Sequence, residues 1–221
     1  MQNDLNKFLR SKGISSLRQD NHKKMVMSNS QFIIDDERNG MMVDIYAKLL
    51  EDRILFLTGE IDTYNTEMIK AQLLYLEHLD PSEDIKLMIN SGGGDIYAGL
   101  GLIDTMEFIK CDIHTINTGL CASMASVLLA SGTKGKRKAL KRSRTMIHQP
   151  LMMGGYVQQA TDIEIDAREI NSLKKELYEI LSDCTGQDYK KVYSDSERDY
   201  WMNAQETLKY GIIDEVITKR K

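Results

Sequence analysis

No apolar run in this sequence reaches the roughly 18 residues that a membrane-spanning helix needs, so no transmembrane anchor is expected. The opening stretch, MQNDLNKFLRSKGISSLRQDNHKKMVMSNS, has basic residues but lacks the apolar core of a secretory signal. Cysteine is scarce. Cys111, Cys121 and Cys184 are odd in number and match no metal-ligand spacing, which argues against a disulfide framework or a zinc cluster and for free thiols in a reducing cytoplasm. Positive charge is not in excess: 29 basic residues face 33 acidic ones for a net charge of −4, so composition gives bulk nucleic-acid binding no support. Low-complexity segments and fixed-period repeats are absent as well.

What is present is an ordinary globular composition, 42% hydrophobic and 28% charged over 221 residues, enough for one domain with a substantial core. Residues 1–30 are polar and aperiodic and read as a flexible arm or leader; residues 31–221 read as a single domain. From about residue 43 onward the pattern alternates. A buried strand is expected to end at Gly59, followed by a helix with Met68, Leu73, Leu76 and Leu79 near helical spacing and a break at Pro81. DIKLMIN reads as a strand feeding SGGG, and Ile96, Leu100, Ile103 and Met106 mark a helical face. DIHTINTG reads as a strand with a tight turn at Gly119, SMASVLLASG as a short buried helix, and GKRKAL and RTMIHQ as two more strands. Apolar positions 163, 167, 170, 173, 177 and 181 define the longest helix. Strands alternating with helices and no linker give one α/β domain.

A serine needs a base before it is a nucleophile. Ser123 sits among Ala122 and Ala125 at the head of an apolar helix, where the partial positive charge of the helix end and the Met124 N–H suit an oxyanion. The plain alternative is a helix N-cap. Of four histidines, His22 lies in the polar arm, His78 near a helix end and His114 in a strand-like segment; His148 follows Ser123 by twenty-five positions and closes an apolar run, at the strand end where α/β domains place chemistry. The glycines of INSGGGD leave backbone N–H groups open to a substrate strand or an oxyanion. Asp95 stands where a Walker motif needs Lys-Ser/Thr, which weakens a phosphate reading. Ser91 is the rival nucleophile. The orienting acid is not selected by local chemistry, with Asp195 and Asp199 both available near the C-terminus.

The phrases LTGEI, INSGGG, GLCASMASVLLASGTKGKR, MIHQP, YVQQATDIEIDAREI and SERDYWMNAQETLKYGIIDEVI together resemble the proteolytic subunit of the Clp protease, the ClpP family, from about Val43 to the C-terminus. The resemblance implies a ClpP/crotonase-like α/β fold of repeated ββα units with a protruding handle helix near residues 160–183. It implies a serine endopeptidase in which Ser123 is the nucleophile, His148 the base and Asp199 the orienting acid, with Gly94 and Met124 as oxyanion donors. The expected substrate-binding residues are Gly92, Gly93, Gln149 and Pro150. No metal or cofactor is expected. The implied assembly is a homo-oligomer of two stacked heptameric rings, supplied with unfolded proteins by a hexameric AAA+ unfoldase of ClpX, ClpA or ClpC type that uses the ATP.

Two departures stand out. Gly92 replaces the proline of the family's Ser-Pro-Gly-Gly, and Leu140-Lys141-Arg142-Ser143 replaces Leu-Pro-Asn-Ser, leaving residues 133–144 with seven Lys/Arg and no acid. That stretch is expected to be a solvated hairpin face or a regulatory or inter-subunit surface. The resemblance further implies self-removal of a leader between about Asp20 and Asn29, the alternative being an arm that stays unprocessed.

Overall fold

The structure is a computed structural model that describes residues 33–36, 41–151 and 159–219. Its contacts divide at Asp52/Arg53. In the first unit, β1 (Ile33–Asp36) pairs antiparallel with β2 (Met41–Asp44), and α1 (Ile45–Glu51) follows. Asp44 caps that helix, accepting from the Tyr46 and Ala47 N–H groups. The expected boundary at residue 30 and the expected cleavage segment lie outside the described residues.

The second unit alternates as the pattern predicts. Its elements are β3 (Ile54–Ile61), α2 (Thr63–Leu79), β4 (Ile85–Gly94), α3 (Ile96–Phe108), β5 (Ile113–Ala122) and α4 (Met124–Ala130). They continue with β6 (Lys138–Leu140), β7 (Arg144–Ile147), α5 (Ala160–Thr185), α6 (Tyr189–Asp195), β8 (Tyr200–Asn203), α7 (Ala204–Tyr210) and β9 (Glu215–Ile217). The sheet runs β3-β4-β5-β6-β9 with every pair parallel. This is the expected α/β class. The strand β5 serves two partners in turn: Ile116 and Asn117 pair with β6, whereas Leu120–Ala122 pair with β7. β7 then pairs antiparallel with β8. At this fork the last residues of β5, still paired with β4 through Ser91↔Cys121, exchange β6 for the β7–β8 ribbon on their other side.

The helices bury one stripe each. α2 rests on Thr66, Ile69, Leu73 and Leu76, while Met68 and Leu79, both expected on that stripe, are exposed. The buried set keeps the i, i+3, i+7 spacing of a core-facing helix. α4 is buried at all seven residues, six of them apolar and the seventh, Ser126, bonded through its hydroxyl to the Ser123 carbonyl. In α5 only Leu173, Leu177, Tyr178 and Leu181 are buried, so the apolar stripe continues uncovered through Ile163 and Ala167.

Local expectations are corrected at two glycines. β3 runs past Gly59 to Ile61, because Gly59 takes a φ of 81° within a register shift rather than ending the strand. Gly119 lies inside β5, not in a tight turn. Between the pairs Ile89↔Asn117 and Ser91↔Cys121, β5 spends more residues than β4. The excess is absorbed by side chains: Asn117 Oδ1 accepts from the Gly119 N–H and Asn90 Oδ1 from the Leu120 N–H, each at 3.0 Å. A Cβ on Gly119 would stand 2.7 Å from Asn90 Oδ1, so only glycine lets Asn90 in.

The basic stretch is partly paired. Lys136 pairs with Asp84 and Asp112, Arg137 with Asp214 and Lys138 with Glu215. Lys134, Lys141, Arg142 and Arg144 are exposed.

Candidate active site

At the end of β5 the chain turns sharply into α4, and Ser123 is the residue at the corner. Its φ of 55° and ψ of −130° lie outside the wells open to residues with a Cβ. Two backbone bonds hold it there. The Ser123 N–H donates to the Met146 carbonyl of β7, and its carbonyl accepts from the Ser126 N–H, both at 2.9 Å. Ser126 Oγ donates to the same carbonyl at 2.6 Å. The N-cap alternative does not hold, since the Ser123 side chain makes no capping bond. Instead Ser123 Oγ stands 2.8 Å from His148 Nε2.

His148 is placed by the neighbouring strand. In the parallel β5–β7 register Ala122 faces Met146, so the two chain ends advance together and bring Ser123 and His148 to the same edge. The antiparallel β7–β8 ladder ends at Ile147↔Tyr200, and one step further puts His148 opposite Asp199. His148 Nδ1 lies 3.4 Å from Asp199 Oδ1. The imidazole is 14% exposed and the carboxylate 61%. Asp195, the other acid considered, ends α6 and pairs with Lys191. Ser91, the rival nucleophile, is buried and its Oγ accepts from the Gly93 N–H at 3.1 Å. His78 is exposed in the last turn of α2, His114 Nε2 contacts Asp84 at 2.7 Å, and His22 lies outside the described residues.

The glycines close the other wall. SGGG is the tail of β4 rather than a free turn. A Cβ on Gly93 would stand 2.6 Å from Ser123 Cβ and 3.1 Å from the Met124 nitrogen, so glycine there lets one backbone lie against the other. Gly94, at a φ of 153°, would bring a Cβ to 2.1 Å from the Ile61 carbonyl oxygen. A Cβ on Gly92 meets nothing within 4 Å. The Met124 side chain is buried in a recess that Gly99 leaves, where a Cβ would come within 2.4 Å of Met124 Cγ. Gly99 was not singled out from the sequence; a glycine on the packed face of a helix is the signal that marks it.

These residues open onto a cavity of about 790 Å³. Ser123, Met124, His148, Gly92, Gly94 and Pro150 line it, with an apolar wall of Ile96, Val127, Ile170, Leu173 and Leu177. Gln149 turns its side chain elsewhere, donating from Nε2 to the Glu197 carbonyl at 2.9 Å. Across the cavity Tyr97 Oη donates to Glu169 Oε1 at 3.0 Å, and that carboxylate raises the Tyr97 pKa. Among the described residues no group of three His, Cys, Asp or Glu is arranged to hold a metal, and no helix is long and apolar enough to cross a membrane.

Residues 36–220 match the Clp protease family. The chain belongs to the Clp protease family. A Bacteroides fragilis protein described as "ATP-dependent Clp protease proteolytic subunit" is 55% identical over 192 residues, covering 87% of this chain and 92% of its own. A protein of the same description from Bacteroides thetaiotaomicron is 53% identical, covering 87% and 86%. One from Porphyromonas gingivalis is 50% identical over 211 residues, covering 95% and 94%. The chain is therefore a Clp-type peptidase, and its parallel-rich α/β sheet is the fold expected of that family.

Proposed function

We propose that this chain is the serine-type proteolytic subunit of an ATP-dependent Clp protease and that Ser123, His148 and Asp199 form its catalytic triad. The observation that carries the assignment is the 2.8 Å approach of Ser123 Oγ to His148 Nε2 at a strained corner where the hydroxyl caps nothing. The hydroxyl donates to Nε2, while Nδ1–H faces Asp199. As Ser123 Oγ bonds to the scissile carbonyl carbon, its proton passes to Nε2 and the carbonyl oxygen becomes an oxyanion. The Met124 and Gly94 N–H groups receive that charge. His148 then returns the proton to the departing amine, and water repeats the sequence on the acyl-enzyme. Asp199 holds the imidazole tautomer and balances its transient charge. The 3.4 Å separation is one that tightens on substrate binding.

Gly92, Gly93, Gln149 and Pro150 form the track for an extended peptide. With its side chain engaged by Glu197, Gln149 contributes through its backbone. The apolar wall beside Ser123 favours apolar side chains next to the scissile bond. No step requires a metal or an organic cofactor.

The names of the relatives support an ATPase partner, and we assign to it the unfolding of substrates and the use of ATP. The working form is two stacked heptameric rings in the cytoplasm, entered by unfolded proteins from a hexameric AAA+ unfoldase. The uncovered apolar stripe of α5 supports a role for that helix between subunits. The test is degradation of an unfolded protein by the assembled chain and its Ser123→Ala variant. Short peptides from the parent and none from the variant are expected; equal cleavage by both would remove Ser123 from its role.

A further inference from the structure

Lys174 lies on α5, apart from the serine, imidazole and carboxylate, yet its ammonium group touches both chain segments that carry the base and the acid. Nζ donates to Gln149 Oε1 at 3.3 Å and to Glu197 Oε1 at 2.8 Å. Gln149 directly follows His148, and Glu197 precedes Asp199 by two residues. Gln149 Nε2 in turn donates to the Glu197 carbonyl, so each of the three residues is bonded to the other two. The ammonium lies 4.4 Å from the Tyr193 ring centroid and 5.6 Å from that of Tyr178, within cation–π range of both. Its side chain is 16% exposed. Burial pulls the Lys174 pKa down, but the Glu197 carboxylate, with Tyr178 and Tyr193, leaves it raised overall. Glu197 is correspondingly lowered, chiefly by Lys174.

The contact at stake is His148 Nδ1 to Asp199 Oδ1, which at 3.4 Å is longer than a normal hydrogen bond. An exposed carboxylate on a long contact goes where its backbone takes it. Its distance from the imidazole therefore follows the separation of the segments around residues 148 and 199. We infer that Lys174 is a positioning residue for the proposed hydrolysis: by bridging Gln149 and Glu197 it fixes how closely Asp199 approaches His148. Placement errors near 1 Å are enough to cost about 100-fold in rate. The groups facing Lys174 are Glu197, Tyr178 and Tyr193. Those around His148 are Asp199 and the carboxylates of the same cavity, Glu60, Asp62, Asp95 and Glu169, all of which the variants below retain.

This inference rests on the serine-peptidase reading, and the test separates the two. Parent, Lys174→Met and Lys174→Arg chains are assembled, their active sites are counted by fluorophosphonate labelling of Ser123, and kcat and KM for peptide hydrolysis are measured per labelled site. Lys174→Met, which keeps the stem and loses the charge, is expected to lower kcat per labelled site about 10-fold and leave KM nearly unchanged. Lys174→Arg restores most of the lost kcat. Should Lys174→Met not fold, Glu197→Gln removes the same ion pair from a more exposed position and carries the same expectation. A parental kcat in the charge-free variant overturns the inference, as does a rate loss that Lys174→Arg shares or one that shows only as a raised KM. A parent whose Ser123 is not labelled overturns the serine-peptidase reading and this inference with it; a labelled parent beside an unaltered variant overturns only this one.

Discussion

His148 faces Asp199 one step beyond the Ile147–Tyr200 pair that ends the antiparallel β7–β8 ladder. The acid thus reaches the imidazole through strand register across some fifty residues of chain, not through any local motif. Asp199→Asn keeps the ladder and the side-chain shape but removes the charge and the preference for the Nδ1–H tautomer. It is expected to lower kcat by on the order of 10³-fold while leaving the circular dichroism spectrum and KM close to the parent's. A variant with parental kcat would remove Asp199 from the triad.

Gly93 and Gly92 are neighbours with opposite tolerance. A methyl on Gly93 would collide with Ser123 Cβ at 2.6 Å and must also take a φ of 98°; a methyl on Gly92 meets nothing within 4 Å. Gly93→Ala is expected to abolish peptide hydrolysis and Gly92→Ala to retain most of it. Comparable kcat/KM for the two variants would contradict the close approach of β4 to the serine.

The corner at Ser123 stores strain that only glycine relieves. A φ of 55° with a ψ of −130° costs a residue with a Cβ about 1–3 kcal/mol. Ser123→Gly, though inactive, is therefore expected to be more stable than Ser123→Ala by about 1 kcal/mol, after allowing for the greater chain entropy of glycine. Chemical denaturation of the two inactive variants decides it, and a less stable glycine variant would refute stored strain.

Arg137 and Asp214 form the best-buried ion pair in the described chain, with the arginine side chain 4% exposed and the aspartate 20%. Two parallel N–H bonds join them at 2.9 and 2.6 Å, and Arg137 also donates to the Ala130 and Cys184 carbonyls, tying α4 to the end of α5. Burial alone would raise the Asp214 pKa; the Arg137 guanidinium and the N–H groups of Arg137 and Gly135 outweigh it and hold the carboxyl below its ordinary value. A depressed folded pKa means stability that is present above the unfolded value near 3.9 and is lost as pH falls through the folded one. Asp214→Ala is expected to cost about 3 kcal/mol at pH 7, with the gap to the parent narrowing below about pH 4. A gap that is constant with pH, seen in denaturation midpoints, would contradict the ionic account.

The sequence made local order legible and left long-range pairing hidden. Apolar runs and glycines announced the strands and helices from β3 to α5 but not the short elements on either side, and the small residues around Ser123 and the strand-end position of His148 marked both as candidates. Gly119 misled because an Asn90 side chain from another strand fills the space that glycine opens, which looks like a turn until β4 is beside it. Met68 and Leu79 have helical spacing but sit off the buried face, since spacing alone does not say which side of α2 meets the sheet. That Lys136, Arg137 and Lys138 are paired was hidden because their acidic partners, Asp84, Asp112, Asp214 and Glu215, are distant in sequence. Lys174 left no mark at all: a lysine on a charged helix looks solvated until Gln149 and Glu197 converge on it.

The most direct measurement is mass-mapped labelling of the assembled protein with a fluorophosphonate. This reagent phosphonylates only a serine whose proton a neighbouring base removes. The expected adduct is confined to Ser123, absent from Ser123→Ala, and formed more slowly when His148 is replaced by Ala. An assembled, peptide-cleaving sample in which Ser123 stays unmodified, or in which Ser91 carries the adduct, would contradict the assignment.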